Sequence, residues 1–285
     1  MKLDLASAKI PKEKKRRKRR GRLLSKYPKK TVYYDSADSD FFSGNESEKK
    51  HKVNYRYGKK STAFSFFAFI LHRLIAPPVA YLYTKLFLRE RIIGRKKLKA
   101  AKQKGQGFVL VGNHTQPVGD AFSSNMVAFP TRTHVVVHPD NLRLPVVGRL
   151  TPYLGAIPIP NGIREARAFS EELSELLLSG RAVAIFPEAH VWPFFTGLRT
   201  FKKGALDIAV RANVPAYTFT RVYRKSRVFG FKCIVYIDGP FYPSQELSRG
   251  EAEAALSDGL FAVMAERTKE SDVQVVEYKE RRNEP

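Results

Sequence analysis

The chain has 285 residues, 43% of them hydrophobic, with a formal net charge of +24 and one cysteine, Cys233. That size suits one large domain or two small ones with a real core, and a lone cysteine excludes an internal disulfide framework and fits a reducing compartment. Residues 1–60 hold 20 Lys/Arg against 7 Asp/Glu and the remainder 31 against 20, so both parts are basic, and the partner is expected to be anionic: nucleic acid, anionic lipid or a phosphorylated substrate.

Residues 1–60 read as a basic, disordered tail. Nine of the eleven positions from 12 to 22 are Lys or Arg, and Lys49, Lys50, His51 and Lys52 form a second cluster. Neither helical nor strand periodicity persists there. Such a tail is solvated, or is drawn to an anionic bilayer at about 1 kcal/mol per basic residue near the surface. Nucleic acid is disfavoured, because the tail lacks the interleaved aromatics of a stacking platform. No apolar stretch follows the early basic residues within the first 30 positions, so no signal peptide is expected.

Residues 61–104 read as an apolar, helical, membrane-contacting motif. Phe64, Phe66, Phe67 and Phe69 crowd its start, and His72-Arg73 and Pro77-Pro78 interrupt it. A bilayer span needs about 20 uninterrupted apolar residues. Pro-Pro is expected to break the helix, which predicts two helices, either buried amphipathic ones or a hairpin dipping into one leaflet. In the second case Arg89, Arg91, Arg95, Lys96 and Lys97 meet the headgroups.

Residues 105–285 alternate. Strands are predicted at 108–112, 133–138, 156–159, 182–186, 216–223 and 233–239. Helices are predicted at 163–178, 203–213 and 244–270, the last with weak points at Gly250 and Gly259. The fold class is therefore α/β: a mixed central sheet flanked by helices, preceded by the two-helix motif and the tail.

Chemistry concentrates at two strand ends. The run Val109-Leu110-Val111-Gly112 hands over to Asn113-His114, and Asp120 follows six positions after the histidine. A histidine at a strand end with a carboxylate in reach is a general base with an orienting partner; the bland alternative is a turn with Asp120 at a helix start. The run Ala182-Val183-Ala184-Ile185 hands over to Phe186-Pro187-Glu188-Ala189-His190 in the same manner. A metal site from His114, Asp120, His134, His138 and His190 is not expected: His134 and His138, four apart on one strand, lie about 13 Å from each other. A Gly-x-Ser-x-Gly elbow and a Gly-x4-Gly-Lys-Ser/Thr phosphate loop are both missing from the sequence.

Taken in order, Asn113-His114 with Asp120, Gly155-Ala156-Ile157-Pro158-Ile159, Phe186-Pro187-Glu188, Phe201-Lys202-Lys203-Gly204-Ala205 and Val214-Pro215 resemble the glycerolipid acyltransferase family, whose best-known members are the 1-acylglycerol-3-phosphate acyltransferases. The resemblance covers residues 65 to 240. It implies His114 as general base, Asp120 as its partner, and backbone N–H groups near 119–121 as oxyanion donors. Two features depart from the family. Five residues, not four, separate His114 from Asp120, and Gly119 with φ > 0 is expected to absorb the extra one. Phe-Pro-Glu continues as Ala189-His190-Val191-Trp192, not Gly-Thr-Arg.

For acceptor binding the resemblance implies an Arg after the Gly-x-Ile segment, where Asn161 stands. Arg164, at a helix start, is the substitute, with Arg167 on the same face. Glu188 orients a basic residue or braces its loop, His190 donates to phosphate or to the transition state, Arg199 supplies the missing guanidinium, and Lys202 adds charge or faces water. The expectation is a membrane-associated enzyme at the cytoplasmic face, peripheral or monotopic, without cofactor or metal. Its partners are anionic membrane lipids, a lysophospholipid acceptor, and acyl-CoA or acyl-carrier protein as donor. The alternatives are another lipid or glycan hydroxyl as acceptor, or a non-catalytic basic protein binding anionic membrane or nucleic acid.

Overall fold

The computed structural model describes residues 28, 30–36, 55–145, 147–226 and 230–281. The basic run at 12–22 and the cluster at 49–52 lie outside the described residues. Strand β1 (Lys30–Tyr34) lies inside the segment expected to be disordered and pairs in parallel with β9 (Val276–Glu280). Its sequence explains this: Thr31, Val32, Tyr33 and Tyr34 are β-branched or aromatic.

A single helix, α1, runs over Thr62–Phe87, 26 residues, long and apolar enough to cross a membrane by length and composition. Pro77-Pro78 does not break it, against expectation. The turn just before, Leu71–Ile75, is π-helical, with Ala76 N–H donating to Leu71 O, five residues back. The prolines start the next α-helical stretch, where a missing N–H and a fixed φ are tolerated. Ala68, Ala80 and Thr84 face the protein, whereas Phe66, Phe67, Phe69, Leu74, Leu82, Leu86 and Phe87 are each more than half exposed.

The core is a seven-stranded mixed sheet in the order β2-β8-β7-β3-β6-β4-β5. The strands are β2 (Arg91–Ile93), β3 (Phe108–Gly112), β4 (Thr133–Val137), β5 (Ala156–Pro158), β6 (Ala182–Ile185), β7 (Ala216–Ser226) and β8 (Gly230–Phe241). All neighbours are parallel except β7 and β8. β2 contributes an edge strand from within the 61–104 stretch.

Strands β3 and β6 are buried throughout, which is why they read as unbroken apolar runs. Their side chains alternate between two layers. Val109, Val111, Val183 and Ile185 pack with Leu173 and Leu177 of α5 (Ile163–Leu178), with Ile208 of α6 (Asp207–Arg211), and with Leu256, Leu260 and Met264 of α7 (Arg249–Thr268). On the other face Phe108, Leu110, Ala182 and Ala184 pack with Ala101 of α2 (Lys99–Gln103) and with Val127 and Ala128 of α3 (Gly119–Ala128). A one-turn helix, α4 (Val147–Leu150), sits between β4 and β5.

The predicted helix at 163–178 coincides with α5, and α7 passes through Gly250 and Gly259 without a break. Ser248 and Glu251 form a reciprocal cap at the start of α7, and the buried stripe Ala252-Leu256-Leu260-Met264 holds it to the sheet. The predicted helix at 203–213 shrinks to α6, since Lys203 to Leu206 form turns, with Gly204 at φ +78.

Candidate active site

β3 ends at Gly112, and the next turn carries the site. Asn113 is locked to β7 in both directions: its amide donates to Arg221 O at 3.0 Å and its carbonyl accepts from Arg221 N–H at 2.8 Å. That ties the turn to the neighbouring strand and sets where His114 emerges.

His114 Nδ1 lies 2.8 Å from Asp120 Oδ2, with the histidine side chain 21% exposed and the carboxylate 2%. A carboxylate only accepts, so Nδ1 carries the proton and Nε2 is left with its lone pair. The ring stacks on Phe186 at 4.7 Å between centroids.

Asp120 is the second residue of α3. Gly119 does not take a positive φ, against expectation, and a turn at Pro117–Val118 leads into α3. A Cβ on Gly119 meets Leu88 Cδ1 at 2.7 Å, so a larger residue there has to displace that side-chain end. Of the expected oxyanion donors near 119–121, the Asp120 N–H already donates to Gln116 O at 3.1 Å; separately, the Gln116 N–H donates to the Asp120 carboxylate at 2.9 Å.

Behind Asp120 lies a buried network. Arg221 donates from Nη1 to Asp120 Oδ1, and from Nη2 to Glu90 Oε2 at 3.1 Å and to Ser123 Oγ. Ser123 Oγ in turn donates to Glu90 Oε2 at 2.6 Å. Glu90, Asp120, Ser123 and Arg221 are all buried. Burial alone pushes the Asp120 carboxyl up, but the Arg221 guanidinium, His114 and the Gln116 N–H outweigh it and hold it below the usual carboxylate range. Burial pushes Arg221 down, and its two carboxylates reverse this and hold it above its ordinary value. Tyr223 closes the floor, its hydroxyl accepting from Gln116 Nε2 and donating to Thr115 Oγ1, each at 3.0 Å.

None of Glu90, Ser123 or Arg221 was singled out from sequence. One signal was available: Arg221 is the only charge in the apolar run 216–223, and a buried charge demands a partner.

The second strand end packs against the first. Glu188 accepts from the His114 N–H at 3.0 Å through Oε1, and from Arg199 N and Nε at 3.2 and 3.1 Å through Oε2. Burial pushes the Glu188 carboxyl up, and Arg199 and these N–H groups pull the other way. Arg199 also donates to the Glu188 and His190 carbonyls and sits over the Trp192 ring at 4.9 Å. Trp192 N–H donates to His114 O at 3.0 Å. The same indole is flanked by Tyr34 of β1 and Tyr278 of β9, at 4.6 and 4.7 Å between centroids, so the two-stranded ribbon packs on the site loop.

The structure thus brings His114, Asp120, Glu188, His190 and Arg199 together. Lys202 N–H joins the loop through Pro187 O at 2.9 Å, and its side chain is exposed. Arg164 is exposed at the start of α5, beyond edge strand β5. Three strand spacings separate β3 from β5, about 14 Å. His134 and His138 serve elsewhere, His138 beside Asp140 at 3.3 Å and His134 against Arg181. Cys233 is buried, and burial pushes its thiol up to about 12, so it is no nucleophile.

The histidine–carboxylate pair thus sits at the carboxyl edge of a mixed α/β sheet, where such sheets place their ligands. Residues 91–221 match the family model described as Acyltransferase. No curated protein matches the chain. Among solved structures it is similar to the 1-acyl-sn-glycerophosphate (LPA) acyltransferase PlsC of Thermotoga maritima, at 18% identity and a TM-score of 0.41, over 71% of this chain and 95% of that one.

Proposed function

We propose that the protein is a membrane-associated O-acyltransferase. It moves a fatty acyl group from a thioester, acyl-CoA or acyl-carrier protein, to the free hydroxyl of 1-acylglycerol-3-phosphate or a related lysophospholipid. The observation that carries this reading is the 2.8 Å contact between His114 Nδ1 and Asp120, which leaves Nε2 as the free base of a partly exposed ring.

In this mechanism Nε2 takes the hydroxyl proton as the alcohol oxygen attacks the thioester carbonyl. The tetrahedral intermediate collapses, the C–S bond breaks, and the departing sulfur takes the proton back from the imidazolium. The products are an ester and a free thiol. By formal charge, Asp120, Glu90 and Arg221 sum to one negative charge behind the ring, so an imidazolium completes neutrality in a buried setting. Glu188 and Arg199 hold the His114 loop in place. His190 and Lys202, on that same loop, are placed ahead of the more distant Arg164 as contacts for the acceptor phosphate.

The exposed face of α1 supports attachment to one leaflet of the cell membrane, and reduced Cys233 fits its cytoplasmic side. The test is turnover by the purified protein with acyl-CoA and a panel of lysolipids, monitored by thiol release. Turnover that is fastest on lysophosphatidate supports the acceptor assignment. Preference for an uncharged hydroxyl lipid or a glycan moves it, and no thiol release on any acceptor removes the enzyme reading.

A further inference from the structure

A second charged cluster lies at the opposite end of the sheet and plays no part in the chemistry above. Thr133 and Phe108 both stand in register with Ala182, at the starts of β4, β3 and β6. His114 lies six residues beyond Phe108, about 20 Å along the strand direction. Arg132 and Arg181 immediately precede β4 and β6 and are neighbours, since Ala182 N–H donates to Arg132 O at 3.0 Å. Arg181 Nη1 donates to the buried His134 Nε2 at 3.5 Å, and His72 Nε2 lies 3.2 Å from Thr133 O.

Beside them, the turn at Phe129–Pro130 gathers more cations. Arg73 donates to Pro130 O at 2.7 Å, and Arg95 and Lys102 donate to Phe129 O at 2.6 and 3.0 Å. Among the described residues, none of Arg73, Arg95, Lys102, Arg132 and Arg181 pairs with a carboxylate. Cations elsewhere do pair: Lys97 and Arg267 meet Asp238 at 2.6 and 2.8 Å, and Arg224 meets Asp272 at 3.4 Å.

Arg132 Nε and Thr133 Oγ1 are buried with no hydrogen-bond partner. Burial and the neighbouring Arg181 hold the Arg132 guanidinium down to about 10, and burial and Arg95 hold the Lys102 amine down to about 8. Half-buried like charges with unsatisfied donors are costly to a fold, and an anion relieves both penalties.

We propose that this cluster is a second anion site, separate from the acyl-transfer centre, that takes the phosphate of an anionic membrane phospholipid. The lipid source follows from where the cluster sits. His72 and Arg73 belong to α1, and their neighbours Phe69, Leu74 and Ile75 are 58%, 62% and 49% exposed. A headgroup on Arg132 and Arg181 leaves its acyl chains beside that apolar face. The site does not depend on acyl transfer by His114.

The test is thermal unfolding of the full chain with short-chain phosphatidylglycerol below its micelle concentration. Parallel arms hold short-chain phosphatidylcholine, inorganic phosphate and an oligonucleotide. A ligand stabilises only if it binds the folded chain better than the unfolded one, so charges solvated in both states leave the Tm unmoved. Phosphatidylglycerol is expected to raise the Tm by at least about 2 °C. The Arg132→Gln/Arg181→Gln variant should lose that rise while melting no lower than the parent without ligand. A Lys99→Gln/Lys225→Gln control, at two exposed lysines, should keep it.

A rise retained in the Arg variant overturns the site. An equal rise with phosphatidylcholine or inorganic phosphate overturns the anionic-lipid assignment, and a larger Arg-dependent rise with the oligonucleotide transfers the site to nucleic acid. Should the double variant fail to fold, Arg132→Gln alone is read by phosphorus NMR. The lipid signal broadens with the parent and should stay sharp with the variant; equal broadening contradicts the site.

Discussion

Arg221→Met removes the one guanidinium set between Asp120 and Glu90. At 3.1 Å from Glu90, a unit charge in a medium of effective permittivity ~20 contributes about 5 kcal/mol of attraction. Burial of the charges offsets part of that gain, but the offset remains once the partner is gone. The variant keeps two carboxylates, 1% and 3% exposed, with no cation between them. The expected net loss is about 3–5 kcal/mol of folding stability. Adding Glu90→Gln removes one stranded charge, so the double variant should be more stable than Arg221→Met alone. Urea unfolding followed by circular dichroism gives the four stabilities of the cycle. The reasoning is refuted if Arg221→Met lies within about 1 kcal/mol of the parent, or if the two substitutions simply add.

The remaining predictions concern the turn, the acid limb and the helix face. Asp120 has a folded pKa held below its ordinary value. The stability it contributes is therefore full above the unfolded value of about 3.9 and is lost as pH falls through the folded one. Asp120→Asn should flatten the loss of stability below about pH 4 and lower kcat by about 10²–10⁴-fold, read by acid titration of the fold and by thiol release. Gly112→Ala puts a Cβ 2.4 Å from the Phe219 ring. It should cost about 1–3 kcal/mol and, by shifting the His114 turn, lower turnover in the folded fraction; a neutral effect on both contradicts the packing described. Replacing Phe66, Phe67 and Phe69 together by Ser should reduce pelleting with vesicles while leaving the unfolding midpoint close to the parent's, because these rings are exposed. Unchanged pelleting removes α1 as the attachment surface.

The sheet and its helices were largely legible, for a physical reason. Strands buried on both faces, such as Phe108–Gly112 and Ala182–Ile185, carry unbroken apolar runs, and Ile163–Leu178 carries a helical period. The proximity of His114 and Asp120 was legible because both belong to one turn. Long-range structure was not. Arg221 stands 101 residues from Asp120 and 131 from Glu90, and no local pattern announces which strand lies beside which. Pro77-Pro78 misled because local propensity cannot foresee a π-turn that removes the clash. Arg199 reads as supplying the guanidinium that the resemblance calls for, and no local pattern shows that it also donates to Glu188 and to the His190 carbonyl.

The most direct measurement is the rate of thiol release by His114→Ala with acyl-CoA and lysophosphatidate, compared with the parent at matched folded concentration. A base that takes the hydroxyl proton contributes about 10²–10⁴-fold, so the variant should lose at least a hundredfold in kcat while its unfolding midpoint stays near the parent's. A variant turning over within about tenfold of the parent contradicts the assignment of His114 as the base.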